Sequence, residues 1–150
     1  MGTEENQIEK IATSVYPSFA LLAGMQLDLF TPLKNGPMNA EEIALIIGVR
    51  SGKLKALLYA LVVAGFLAVK GEYFSNTELA NQSLIKDQPS SVVDIHELLS
   101  TMWKAALKTA DSIRTGVPQA KLIMMTCHQA KYSSSLMVST HMLLNTDLIW

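Results

Sequence analysis

The sequence predicts a mainly α fold: a winged-helix-like domain with one small β-hairpin and a long C-terminal helix. Three observations predict it. Residues 39–65 read as helix, short turn, helix. Residues 66–74 read as a short two-stranded ribbon turning at Gly71. Residues 91–115 carry an apolar stripe of Val92, Ile95, Leu99, Met102, Ala106, Thr109 and Ile113, whose steps of three and four suit a helix packed along another helix.

Each element has its own signal. Ile8, Ile11, Ala12 and Val15 share one helical face until Pro17 interrupts it. Phe19, Leu22, Met25, Leu29 and Phe30 continue the helical spacing as far as Thr31-Pro32, and Asn35-Gly36-Pro37 makes a turn. Asn39 stands at an N-cap position, with Glu41 and Glu42 at the positive end of the helix dipole. Ile43, Ile46 and Ile47 are the expected buried face, and Gly48 ends the helix. Ser51 is the expected cap of the next helix, where Leu54, Leu57, Leu58, Leu61 and Val62 fit the helical template up to Gly65. Asn76 or Thr77 caps a short helix reaching Leu84. The long helix starts at Ser90 or Ser91 and stops at Gly116, with Arg114 at its negative end; Leu98, Trp103, Leu107 and Ala110 widen its apolar face, more than a small domain covers by itself.

Composition bounds the function. A chain of 150 residues, 49% hydrophobic and 17% charged, has apolar material for one core and is not globally disordered. The apolar run Ala56–Val69 is 14 residues long, short of the roughly 20 that span a bilayer. The acidic start MGTEENQIEK does not look like a secretory signal. Together with the single cysteine, Cys127, these features predict a cytoplasmic protein without membrane attachment. The net charge of -1 argues against specific nucleic-acid binding. Arg50, Lys53 and Lys55 do open the second helix of the helix-turn-helix, so a DNA-binding winged-helix transcription regulator is the competing reading. Against it, residues 39–77 hold four basic and three acidic side chains.

Catalytic motifs are missing. His96-Glu97 begins a zinc-protease pattern, but Ser100 occupies the position of the second histidine. Neither a glycine-rich phosphate loop nor a GxSxG elbow is present. Residues 122–150 differ in character from the rest, with Lys131 and Asp147 as their only formal charges. They hold Met124, Met125, Cys127, His128, His141 and Met142, soft ligand types at no metal-site spacing. The domain is therefore expected over 1–121, followed at 122–150 by an atypical, poorly ordered tail.

The stretches GMQLDLFTPL, GPMNAEEIALIIGV, KLKALLYALVVAGFL, EYFSNTELA and HELLSTMWKAALKTADSIRTG together resemble the N-terminal dimerisation domain of plant- and bacterial-type small-molecule O-methyltransferases of the acetylserotonin-methyltransferase kind. The resemblance covers about residues 6–121. It implies a mostly helical domain that interlocks with its copy as a homodimer, or as a heterodimer with a full-length relative, and closes one wall of the partner's substrate pocket. On that view Met102 and Trp103 are the candidates for lining the pocket, with a plain core role as the alternative for both. S-adenosylmethionine and the catalytic base belong to a separate Rossmann-like domain in intact members, so this chain is expected to hold no cofactor and to be inactive alone. Back-translating residues 123–150 with permitted codons and reading one base earlier gives DYDDMSPGKV and then FFFFDGLHP, which resembles the segment that follows this domain in the family. A frameshift near Lys121 or Leu122 is the expected origin of the tail.

Overall fold

The computed structural model describes residues 6–119. They fall into two compact units, one ending at Val93 and the other beginning at Asp94. The tail expected from residue 122 onward, with its methionines, histidines and Cys127, lies outside the described residues.

In the first unit, helix α1 (Gln7–Thr13) is capped by Asn6, whose side chain accepts the Ile8 N–H at 3.0 Å. Helix α2 (Tyr16–Gln26) follows with Pro17 in its first turn, where a missing N–H leaves no helical bond unmade. It ends earlier than the spacing predicts. Asp28 takes a left-handed backbone (φ 51°), and the Leu29 N–H reaches back to the Gly24 carbonyl at 3.0 Å. Aspartate tolerates that conformation better than most residues. The reversal turns Leu29 and Phe30 into the core, both fully buried. A 3₁₀ turn over Pro32–Asn35 then leads to Gly36 (φ 141°).

Helix α3 (Ala40–Ile47) begins with a capping box. Asn39 accepts the Glu42 N–H at 2.9 Å, and Glu42 accepts the Asn39 N–H at 2.8 Å. Gly48 closes the helix at φ 72°. Its inner face differs from the expectation: Ile43 is buried, but the other buried positions are Ala40 and Ala44, while Ile46 is 56% exposed and Ile47 half-buried. Residues 40, 43, 44 and 47 form one stripe of the 3.6-residue period, and Ile46 lies to its side. Helix α4 (Ser51–Val63) has Arg50, not Ser51, at its N-cap, with no side-chain cap bond. Leu54, Leu58 and Leu61 are its buried face, as the spacing predicts.

Strands β1 (Leu67–Lys70) and β2 (Tyr73–Asn76) form an antiparallel hairpin pairing Leu67 with Asn76 and Lys70 with Tyr73. Gly71 supplies the positive φ (63°) of the two-residue turn. Met38 adds a bridge to Phe74, with bonds of 2.9 and 2.8 Å in the two directions. Helix α5 (Glu78–Ser83) is capped by Thr77. The largest fully buried side chains are Phe30, Phe74, Leu29, Ile43, Leu58 and Leu61, so α3, α4, the hairpin and the Leu29-Phe30 reversal share one core.

The second unit corrects the single long helix. It comprises α6 (Ile95–Ala106) and α7 (Thr109–Thr115). The expected start at Ser90 or Ser91 fails because that segment is bonded elsewhere: the Ser90 hydroxyl donates to the Gln82 carbonyl, and the Val92 N–H donates to the Ser83 carbonyl at 2.8 Å. The break between α6 and α7 coincides with the Thr109 hydroxyl donating to the Ala106 carbonyl at 2.7 Å, a local bond that competes with the helical ladder. Gly116 (φ 69°) ends α7 as predicted.

Candidate functional site

Helix α1 buries none of its residues. Ile8 and Ile11, three apart and on one face, are 77% and 66% exposed. Helix α2 has no charged side chain, and only Ala20, Gly24 and Met25 along it are buried. Its N-terminal half leaves Tyr16 and Phe19 exposed. A helix apolar on all sides is normally covered on all sides. Burying one isoleucine or aromatic side chain is worth roughly 1.5–3 kcal/mol, so the exposed faces of α1 and α2 have a strong reason to meet another surface. Between Ile8 and Phe30 the large exposed apolar side chains are thus Ile8, Ile11, Tyr16 and Phe19, whereas Leu29 and Phe30 belong to the core.

Met102 and Trp103 both lie on α6 and are both half-buried. Successive helical residues point about 100° apart, and the two fall on either side of the same broad face. Glu97, Thr101 and Lys104 make the exposed polar stripe of α6, yet no residue of the helix is buried. His96 is half-buried on this helix, and no group of three or more His, Cys, Asp or Glu among the described residues could hold a metal ion.

Arg50, Lys53 and Lys55 are exposed at the start of α4. Beyond Lys55 the outer face of that helix is Ala56, Tyr59, Ala60 and Val63, all exposed. Base edges are read by hydrogen-bonding side chains such as Arg, Asn and Gln, which this face lacks. Tyr59 stands edge-on to Phe74, with ring centroids 5.3 Å apart. Spacing alone did not reveal this apolar outer face, although the uncharged run from Ala56 carries its signal. Among the described residues no helix is long and apolar enough to cross a membrane.

Comparison with known proteins places these features in a family. The chain is 29% identical over 114 residues to the tetracenomycin polyketide synthesis 8-O-methyl transferase TcmO of Streptomyces glaucescens, covering 75% of this chain and 34% of that protein. Among solved structures, human N-acetylserotonin methyltransferase in complex with SAM superposes with a TM-score of 0.67 at 24% identity, over 77% of this chain and 37% of that one. PigF with SAH superposes with a TM-score of 0.70 at 19% identity, over 78% and 39%. The two structural likenesses are to the fold, and the chain spans little more than a third of the length of each of these three relatives. The O-methyltransferase dimerisation domain matches residues 9–86, just over half of the 150, and the chain belongs to that family.

Proposed function

We propose that this chain is the dimerisation module of an S-adenosylmethionine-dependent O-methyltransferase, pairing with a second copy or with a full-length relative. In this reading α6 contributes a wall of the small-molecule pocket through Met102 and Trp103, and the methyl-transfer chemistry resides outside the chain. The observation that carries the reading is the exposed apolar face of α1 and α2 in a chain of the dimerisation-domain family. A methyl-transfer site must align donor and acceptor and place a base within hydrogen-bond reach. Donor sites of open α/β sheets lie at the ends of parallel strands, whereas the strands described here form one antiparallel hairpin.

Sedimentation velocity tests the pairing. A dimer is expected at tens of micromolar, and a folded monomer there overturns the reading. Isothermal titration with S-adenosylmethionine should give no saturable heat, and micromolar binding would move the donor site into this chain. The apolar outer face of α4 favours this reading over a DNA-binding regulator. Sequence-specific binding tighter than about 10⁻⁸ M at physiological salt, the specific regime, would reverse that preference.

A further inference from the structure

A cleft opens between the end of α2 and the start of α4, with a volume of about 260 Å³. It is lined by Leu27, Val49, Arg50, Lys53, Leu54 and Leu57. Residues 50, 53, 54 and 57 come together because their spacing of three and four puts them on one helical face. Leu54 is the buried floor, Leu27, Val49 and Leu57 are half-buried walls, and Arg50 and Lys53 stand exposed at the rim. No acidic side chain lines the cleft. Among the described residues neither cation has an ion-pair partner. An apolar floor beneath two unopposed cations is complementary to an apolar body that ends in an anion.

We propose that this cleft binds a medium-chain carboxylate, with its tail on Leu54 and its head between Arg50 and Lys53. The volume sets the length of the tail. A methylene is close in size to a water molecule, whose share of the liquid is about 30 Å³, so the cleft holds about eight such groups. That is an eight-carbon acid such as octanoate, smaller than the ligands of ordinary pockets, which run from about 300 to 1,000 Å³. The charges set the head. A guanidinium presents a planar fork that matches the two oxygens of a carboxylate, and the lysine ammonium adds a point charge beside it. All six lining residues belong to the first unit. The site therefore needs neither Met102 and Trp103 nor a second copy, and it stands or falls separately from the dimer reading.

Isothermal titration of the full chain with octanoate tests the proposal. Binding should saturate with a dissociation constant on the order of 0.1–1 mM, the scale of about five to seven methylenes leaving water. Hexanoate should bind roughly fifteen-fold more weakly, about fourfold for each methylene lost. Decanoate should gain much less than that over octanoate, because its tail outgrows the cleft. Arg50→Gln and Lys53→Gln should each weaken octanoate about two- to five-fold, the range of an exposed charge pair. Both replace exposed side chains, so the variants should keep the wild-type circular dichroism. Octanamide has the same tail and no charge. It should bind the wild type more weakly than octanoate does, and the doubly substituted chain should no longer tell the two apart. A heat that rises without saturating up to about 10 mM, ten times the weakest expected constant, overturns the proposal. Saturable binding that ignores both charge substitutions, or that treats octanamide and octanoate alike in the wild type, overturns it as well, since the ligand would then be held elsewhere.

Discussion

Asn76 ties three parts of the first unit together through one amide. From the end of β2, its Nδ2 donates to the Phe30 carbonyl at 2.9 Å and to Asn81 Oδ1 at 3.0 Å, linking the hairpin to the reversal after α2 and to α5. Its Oδ1 is buried and accepts no hydrogen bond among the described residues. Removing the amide leaves the Phe30 carbonyl without this donor, so Asn76→Ala should lower stability by about 1–2 kcal/mol. Asn76→Asp should cost at least as much, because a carboxylate would bring charge to a site that needs a donor. Urea unfolding with an unchanged m-value is the measurement, and a wild-type midpoint for both variants would refute the role. Gly24 matters for space instead. A Cβ there would stand 3.0 Å from one Phe30 ring carbon and 3.3 Å from Leu61 Cδ1. Phe30 and Leu61 are both fully buried and have no free side to move into. Gly24→Val should therefore destabilise by roughly 1–3 kcal/mol through overpacking, despite glycine's poor helix propensity.

At the scale of elements, what could be read from sequence was what short-range chemistry decides. The ends of α3 were visible because a capping box and a left-handed glycine need only residues 39, 42 and 48. Asn39→Ala should accordingly cost about 1 kcal/mol, read as a lower thermal midpoint, and no change would mean that tertiary packing alone holds the helix start. The long-range decisions were not visible. The pairing of Met38 with Phe74 joins residues that no local pattern connects, and the Val92 bond to the Ser83 carbonyl delays α6 for a reason lying nine residues upstream. The apolar stripe of 92–113 was real, but periodicity does not register the Thr109 hydroxyl that competes with the ladder at Ala106. The same limit applies to the candidate site. Ile8 and Ile11 on one face were legible as an amphipathic helix, whereas nothing local distinguished a face turned to its own core from one left exposed.

For the whole molecule, the proposed pairing through the exposed faces of α1 and α2 would make stability a matter of concentration. If the native state is a dimer and the unfolded state a single chain, mass action stabilises the native form by about 1.4 kcal/mol for each tenfold rise in protein concentration. For chains of this size the thermal midpoint should then fall by about 2–4 °C per tenfold dilution. Replacing both Ile8 and Ile11 by aspartate should abolish that dependence, because it puts two charges where apolar area would be buried and leaves the first unit's core untouched. The variant should keep its helical circular dichroism while sedimenting as a monomer. A wild-type midpoint that stays constant across a hundredfold dilution would mean that the protomer is stable alone, and that the apolar faces of α1 and α2 await a different partner.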